Sequence, residues 1–222
     1  MKQTLYLFFF FLLASCQQEN LFESKGTGQL TLGNIAITSA SEQPITTKVI
    51  DSDLIIQITS ANSEVKRYAV GQVPSSISLE AGDYTLEAFT AEYESWQNGA
   101  VYYKSQTFSI IAGKITEITN VNVPMINCGI RFEIMDGLPF YNYMFQATPS
   151  GGSTITLSDE GVIAYFPVSS IGCSLFYTLS ATNTDSETVG PIGQTQTVTL
   201  EASKIYRVTY DLATSTSQIN NK

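Results

Sequence analysis

Histidine is absent from the 222 residues of the sequence, and cysteine occurs only three times. Without histidine, a Ser-His-Asp or Cys-His catalytic arrangement cannot form, and most zinc-binding arrangements are excluded. Three cysteines cannot build a disulfide-stapled scaffold. Cys128 and Cys173 have no C-x-x-C spacing, and both fall in the apolar phase of predicted strands. They are interpreted either as two buried thiols or as a disulfide, which an oxidising compartment would permit.

Basic residues are also scarce. Only 11 Lys and Arg oppose 20 Asp and Glu, so the formal net charge is −9. Proteins bind nucleic acids and anionic lipids through clustered positive charge. The composition therefore argues against a nucleic-acid partner and against an electrostatic contact with a membrane surface.

The apolar run at the N-terminus is too short to cross a membrane. It covers residues 5–14, ten in all, whereas a spanning helix needs roughly 20. Its four consecutive phenylalanines, 8–11, have neither a helical nor a strand period, so no single face could bury them. A short apolar run behind a positive residue, here Lys2, is typical of the central region of a signal peptide.

The end of this run, Leu13-Ala14-Ser15-Cys16, resembles the bacterial lipobox. The resemblance implies that residues 1–15 are a lipoprotein signal peptide and that the Cys16 thiol receives a diacylglycerol group. Two or three lipid chains then make a durable membrane anchor. The alternative is an ordinary signal peptide with an incidental cysteine. Residues 16–26 form a polar tether, and the chain from Cys16 onward has a formal net charge of −10, since Lys2 is lost.

Beyond the tether, apolar and polar residues alternate with the period of β-strands. The alternation is clearest at 127–134 and 173–180, and an apolar run at 54–58 predicts a strand buried on both faces. Turn signals recur about every 8–12 residues, which is typical of an all-β sandwich. The sequence predicts an all-β chain of two tandem β-sandwich domains. Their expected ranges are 27–124 and 125–212, followed by a polar tail, 213–222, that we expect to fray.

Three segments share one pattern, in which alternating apolar residues lead into Ala-Gly or Ala-Ser and the alternation then resumes. They are residues 76–88, 108–119 and 197–210. We interpret the pattern as a β-hairpin. In the first copy, a two-residue turn at Gly82-Asp83 would place Leu79 opposite Leu86.

Stretches such as GTGQLTLGNIAI, ISLEAGDYTLEAF, IAYFPV and YRVTYDL resemble a family of Bacteroidales lipoproteins catalogued only as a domain of unknown function. Members are described as candidate cell-adhesion proteins. They are related to fimbrillin-like proteins, whose two domains are transthyretin-like or Ig-like β-sandwiches. The resemblance implies this fold and a non-enzymatic role, with no cofactor and no catalytic residue.

The same resemblance bears on where the protein works. In surface lipoproteins of Bacteroides-type bacteria, acidic residues soon after the lipidated cysteine favour outward export. Here Glu19 and Glu23 occupy that region. We expect a lipid-anchored outer-membrane protein displayed at the cell surface, and a periplasm-facing protein is the alternative.

The segment from Glu92 to Gln106 offers candidate binding residues, which are Tyr93, Trp96, Tyr102 and Tyr103. Aromatic side chains on a loop could stack on a sugar ring or anchor a protein partner. Alternatively, they cover the open end of the first sandwich. A second aromatic cluster, residues 140–145, reads as core.

Four carboxylate pairs are candidates for catalytic or metal-binding groups. They are Asp51/Asp53, Glu92/Glu94, Asp159/Glu160 and Asp185/Glu187. Glycoside hydrolysis needs two carboxylates, and an Asp-x-Asp loop can supply oxygen ligands to calcium. All four pairs lie beside turn residues, so solvated turn carboxylates are the usual explanation. No catalytic and no metal-binding residue is predicted.

Two functions therefore compete. In the first, a surface lipoprotein adheres to a glycan or a cell-surface protein through its loop aromatics. In the second, the chain is an accessory or anchor component of a fimbria-like assembly, whose partner is a fimbrial subunit. Such assembly would start with cleavage at a basic residue, and Lys25 is placed for it, but the polar tail offers few apolar residues for donation as a strand.

Overall fold

The computed structural model describes residues 25–38, 54–69, 71–95, 99–135, 141–183, 188–211 and 216–221. These residues form seventeen β-strands, one four-residue α-helix and one 3₁₀ helix of three residues, Val168–Ser170. Within them, no helix has the length and apolar character that crossing a bilayer requires. The predicted signal peptide, residues 1–15, and Cys16 lie outside the described residues. The all-β prediction is confirmed.

Nine strands and the helix belong to the first half of the chain. They are β1 (Thr27–Leu32), β2 (Ile35–Thr38), β3 (Leu54–Ser60), β4 (Val65–Tyr68), β5 (Ile77–Glu80), β6 (Gly82–Thr90), α1 (Glu92–Ser95), β7 (Tyr103–Ile110), β8 (Ile115–Ile118) and β9 (Val121–Pro124). A three-stranded sheet in the order β5-β1-β8 faces a four-stranded sheet in the order β4-β3-β6-β7, and β2 pairs in parallel with β9. We call this unit the first sandwich.

The core of the first sandwich joins both sheets. Leu30 and Ile77 reach it from the three-stranded sheet, and Ile56 and Leu86 from the four-stranded sheet. Burial of each such side chain stabilises the fold by about 1.5–3 kcal/mol. The prediction that β3 is buried on both faces is wrong, because its burial alternates and Ile55 is only half-buried.

The second half of the chain supplies eight strands. They are β10 (Cys128–Ile134), β11 (Tyr141–Pro149), β12 (Ile155–Leu157), β13 (Ala164–Phe166), β14 (Ser174–Asn183), β15 (Thr188–Thr199), β16 (Ile205–Asp211) and β17 (Thr216–Asn221). They form two four-stranded sheets, β13-β10-β16-β17 and β12-β11-β14-β15. This second sandwich has an aromatic core, in which Phe132 stacks on Phe145 with ring centroids 5.3 Å apart.

The two sandwiches share one strand order. In the first, β1 pairs antiparallel with β5 and parallel with β8. In the second, β10 pairs antiparallel with β13 and parallel with β16. The facing sheets also correspond, since β4-β3-β6-β7 matches β12-β11-β14-β15. The expected fraying of the tail is wrong, because β17 pairs antiparallel with β16 as an edge strand.

The hairpin interpretation of the three similar segments is also wrong. Strand β5 pairs with β1, whereas β6, which follows it directly, pairs with β3 and β7 in the facing sheet. The chain likewise changes sheet between β7 and β8 and between β15 and β16. The shared pattern therefore marks the points where the chain crosses from one sheet of a sandwich to the other.

A buried asparagine stands between the two halves. Asn127 is only 2% exposed. Its Oδ1 accepts a hydrogen bond from the backbone N–H of Val101 (2.9 Å), and its Nδ2 donates to the carbonyl oxygen of Gly99 (2.8 Å). The Ser203 hydroxyl donates to the carbonyl oxygen of Met125 nearby. The division into domains at residues 124 and 125 remains a prediction, although the buried residues do form two separate clusters.

Candidate partner-binding surface

The outer face of the sheet β4-β3-β6-β7 carries the candidate surface. Because side chains alternate along a strand, the neighbours of the core residues Ile56 and Leu86 lie on the opposite face. Register aligns Arg67, Gln57, Glu87 and Ser105 in one row across the four strands. The outer face of this sheet is therefore polar and charged along its middle.

Helix α1 places an aromatic side chain over one end of this face. The carbonyl oxygen of Ala91 accepts hydrogen bonds from the backbone N–H groups of Glu94 and Ser95, which closes the single helical turn. The Tyr93 ring then stacks on Tyr103, with centroids 4.4 Å apart and planes inclined by 16°. It also contacts Phe89, with centroids 5.4 Å apart. Stacked and tilted ring pairs of this kind are favourable arrangements.

Arg67 ties α1 to the edge strand β4. Its guanidinium donates two hydrogen bonds of 2.6 Å to the two carboxylate oxygens of Glu94. The hydrogen bonds raise the pKa of Arg67 and lower the pKa of Glu94. The guanidinium carbon also lies 5.4 Å from the centroid of the Phe89 ring, within the range of a cation–π contact. This bidentate geometry fixes the orientation of both side chains.

Tyr103 is fixed from below by a carboxylate. Its hydroxyl donates to Oε1 of Glu87 (2.8 Å), and the Gln57 amide donates to Oε2 of the same residue (2.9 Å). Burial, followed by the hydrogen bond to Glu87, raises the pKa of Tyr103 to about 12. The Tyr103 hydroxyl is therefore a neutral donor at physiological pH, and the ring beneath Tyr93 is held in place. We call Tyr93, Tyr103, Phe89, Arg67 and Glu94 the tyrosine platform.

A shallow groove of about 460 Å³ opens at the other end of the same sheet. Its lining includes Asp83 and a row of three threonines, Thr59, Thr85 and Thr107. The Ser109 hydroxyl donates to the Asp83 carboxylate (2.6 Å). The sequence does not predict this groove, because its lining residues come from three strands, and the register between those strands cannot be read from the sequence.

The four aromatic residues predicted as a site have different positions. Tyr93 and Tyr103 come together. Tyr102 points to the other face of the sheet, packs against the first core and forms a β-bridge with Met125. Trp96 lies outside the described residues. The role of these residues in binding remains a prediction. Arg67, Glu87 and Gln57 were missed, because nothing in their local sequence indicates that they lie beside the tyrosines.

Cys128 and Cys173 are free thiols in the structure, so the disulfide alternative is not formed. Cys128 is fully buried in the second core, and this burial raises its pKa to about 12. Cys173 is half-buried, just before β14. A buried thiol with a raised pKa is unreactive.

The described carboxylate pairs do not assemble a catalytic or metal site. Glu94 is bound to Arg67, and Glu160 accepts a hydrogen bond from the backbone N–H of Ile134 (2.9 Å). Among the residues that the structure describes, no group of three or more potential ligands could hold a metal ion. The pairs Asp51/Asp53 and Asp185/Glu187 lie outside those residues.

Several solved structures resemble the chain at low identity. A proposed cell adhesion protein from Bacteroides ovatus ATCC 8483 is 12% identical, with a TM-score of 0.45 over 89% of this chain and 96% of that chain. The tip fimbrial protein Mfa3 from Porphyromonas gingivalis with C-terminal truncation is 10% identical, with a TM-score of 0.43 over 88% and 98%. The minor pilin GBS52 from Streptococcus agalactiae is 13% identical, with a TM-score of 0.31 over 84% and 94%. These low identities carry no site residue over to this chain.

No curated protein matches the chain. One family model does, and its match extends over residues 26–221. It therefore includes almost the whole chain beyond the tether, and the resemblance noted in the sequence is confirmed at the level of the family. The chain belongs to the family described as Domain of unknown function (DUF4493).

Proposed function

We propose that this chain is a non-enzymatic adhesion protein, lipid-anchored in the outer membrane through Cys16 and displayed at the cell surface. It binds its partner with the outer face of the sheet β4-β3-β6-β7, and the tyrosine platform at one end of that face makes the main contact. The paired Tyr93 and Tyr103 rings are the observation that carries the proposal.

The platform is rigid before any partner arrives. The bidentate pair of Arg67 with Glu94 holds α1, and Glu87 holds Tyr103. Aromatic side chains that are fixed in this way bind at a low cost in conformational entropy. Asn127 adds support, because it holds the backbone at Gly99 and Val101, between α1 and β7.

A glycan is the partner class that this face favours. Sugars present apolar ring faces, which stack on aromatic rings, and hydroxyl groups, which hydrogen-bond to polar side chains. The face offers two tyrosines at one end, and a groove with Asp83 and three threonines at the other. Between them lie Gln57, Glu87 and Ser105. A protein partner would use the same platform, and it is the alternative if the test below finds no glycan binding.

Two carboxylates of this face, Glu87 and Glu94, are engaged as hydrogen-bond acceptors. A catalytic pair needs one free base and one acid poised for proton transfer. Both oxygens of Glu87 accept hydrogen bonds, and both oxygens of Glu94 bind Arg67. These groups act as fixed structural acceptors.

The binding test is a glycan array probed with the full-length protein and with the variant Tyr93→Ala. Loss of the stacked ring should weaken binding about tenfold or more, which corresponds to roughly 1.4 kcal/mol. Phe176→Ala is the matched control, since Phe176 is an exposed aromatic residue of the second sandwich. Equal binding by the wild type and both variants would contradict the proposed surface, and no binding by the wild type to any glycan of the array would reject the glycan in favour of a protein partner.

The anchoring test labels intact cells with a membrane-impermeant reagent. We expect the wild-type protein to be labelled and to partition with membranes. Replacement of the acylated cysteine, Cys16→Ser, should move it to the aqueous fraction. Labelling that appears only after lysis would reject surface display.

A fimbria-like assembly is the second candidate, and one observation favours it. Among the described strands, β8 pairs with β1 alone, whereas its counterpart β16 lies between β10 and β17. A free strand edge can accept a strand from another protein. Purified protein that forms ladders on gels without boiling would support assembly. A Tyr93→Ala variant that kept such ladders would separate the two functions.

A further inference from the structure

A tight turn between β7 and β8 exposes two isoleucines. The backbone N–H of Lys114 donates to the carbonyl oxygen of Ile111 (3.1 Å), and Gly113 has a φ of +71°. A positive φ at this third position is what a type II turn requires. Ile111 is 54% exposed and Ile115 is 72% exposed, on either side of the turn. All five residues from 111 to 115 are exposed. We call them the basal turn.

The basal turn lies against the beginning of the described chain. The N–H of Gly113 donates to the carbonyl oxygen of Thr27 (2.8 Å), and the N–H of Gln29 donates to the carbonyl oxygen of Lys114 (2.9 Å). Gly26 is so close that an added Cβ would lie 2.8 Å from the Cβ of Ala112. The tether of residues 16–26 therefore enters the first sandwich at the basal turn.

The length of the tether limits how far the turn can lie from the lipid. Nine peptide units separate Cys16 from Lys25, and fully extended they reach roughly 30 Å. If Cys16 is acylated, the basal turn is the part of the described protein that the tether keeps nearest to the bilayer.

Charge near the turn is balanced. Lys25 and Lys114 are exposed there. Glu117 follows Ile115 by two residues, and Glu80 pairs with Thr27 in the neighbouring strand. An excess of basic residues, which would indicate binding to anionic lipid, is therefore missing from this described surface. Any contact with a membrane must come from the two apolar side chains.

We infer that the basal turn rests on the bilayer, with Ile111 and Ile115 seated among the lipid headgroups. The inference depends on the lipid anchor at Cys16 proposed above. It gives the first sandwich a defined orientation. Strand β7 runs from Tyr103 to Ile110, and its eight residues span roughly 25 Å. With the C-terminal end of β7 on the membrane, Tyr103 lies at the end of the strand that is away from the bilayer.

The test places an environment-sensitive fluorophore on the full-length, lipidated protein in phosphatidylcholine vesicles. Cys173→Ser provides the background, because Cys128 is buried and will not be labelled. One variant carries the fluorophore at Ile115→Cys. The matched control carries it at Met144→Cys, an exposed apolar position of the second sandwich. We expect the emission at position 115 to shift to shorter wavelength and to be quenched by nitroxide-labelled lipid, while position 144 behaves as in water.

A second variant separates a native contact from an effect of the fluorophore itself. Adding Ile111→Asp to the Ile115→Cys protein should abolish both the wavelength shift and the quenching. The shift should also persist in high salt, since the contact is apolar. A shift that survived Ile111→Asp, or that disappeared in salt, would overturn the inference.

The inference and the proposed function fail in different ways. If the wild-type chain does not partition into vesicles, the lipid anchor is wrong and both fall. If the protein partitions into vesicles but the emission at position 115 is the same as at position 144, the bilayer contact is wrong and the lipid anchor is retained. If position 115 is embedded and Tyr93→Ala binds glycans normally, the bilayer contact stands and the tyrosine platform falls.

Discussion

The two sandwiches have the same strand order but place their aromatic residues differently. In the second sandwich, six large aromatic side chains are fully buried in the core. They are Phe132, Phe145, Phe166, Tyr177, Tyr206 and Tyr210. In the first, the fully buried residues of the described core are aliphatic. Its stacked pair of Tyr93 and Tyr103 lies on the outer face of a sheet.

The difference separates two uses of the same chemistry. Aromatic rings in a core contribute large buried areas and offset packing, and thus stability. On the outer face of the first sandwich, Phe89 is buried, whereas Tyr93 and Tyr103 are half-buried and keep part of their surface accessible. Because the backbone order is shared, the contrast does not come from topology. It comes from which face of the strands carries the rings: the second core buries them, and under the proposed function the rings of the first sandwich serve recognition.

The largest expected effect comes from removing an aromatic ring from the second core. Phe132→Ala should lower the free energy of unfolding by about 3–5 kcal/mol, because it removes a fully buried ring and leaves a cavity. Urea titration measures the change. Tyr93→Ala, on the outer face, should lower it by much less. Similar losses from the two variants would break the proposed contrast.

Two glycines in corresponding strands, Gly28 in β1 and Gly129 in β10, allow the backbone packing of the two sandwiches to be compared. An added Cβ on Gly28 would lie 2.5 Å from the carbonyl oxygen of Ile111 and 3.0 Å from that of Lys114. On Gly129, the nearest atom would be the Cγ2 of Ile163, at 2.6 Å. Backbone cannot move aside as a side chain can. Gly28→Ala should therefore cost about 1–3 kcal/mol, and Gly129→Ala less, in the same urea titration. The reverse order would show that the strand β1 tolerates a shift of the basal turn.

The sequence predicts where strands such as β1, which contains Gly28, are located, but it does not predict which strands they pair with. Alternation correctly located strands such as β10 and β14, because burial of one face imposes a period of two on each strand alone. The crossings at Gly82, Gly113 and Ser203 were read as hairpins. A hairpin and a change of sheet both need a turn after an apolar strand, so the local sequence is the same. Which strand becomes the partner is decided by residues more than forty positions away, as for Leu30 and Ile77.

The candidate surface was predictable only in part, for the same reason. Tyr93 and Tyr103 were named from a local cluster of aromatic residues, and the structure brings them together. Tyr102 was named with them, but adjacent residues of a strand face opposite ways, so it packs inward. Arg67 and Glu87 belong to β4 and β6, and only the pairing of both strands through β3 brings them to the tyrosines.

The smallest expected effect is a pH dependence that belongs to the outer face. The pKa of Tyr103 is raised to about 12, and the ordinary value of 10.0 applies to the unfolded chain. Above pH 10 the unfolded chain loses this proton first, while the folded state retains it. The stability that Tyr103 contributes is therefore complete below about pH 10 and is lost between pH 10 and 12. Tyr103→Phe should make the decline in urea midpoint over this window shallower than in the wild type.

A control from the second sandwich tells whether this slope comes from the platform. Burial also raises the pKa of Tyr210, so Tyr210→Phe should likewise make the alkaline decline shallower, but through burial in the core and not through a carboxylate. Glu87→Gln removes the negative charge beside Tyr103 and keeps an oxygen acceptor. It should reduce the slope by less than Tyr103→Phe does, because burial, the larger cause of the raised pKa of Tyr103, remains, and it should add nothing to Tyr103→Phe in the double variant. Independent, additive effects of Glu87→Gln and Tyr103→Phe would mean that the carboxylate does not govern the tyrosine, and the platform would lose one of its two fixed supports.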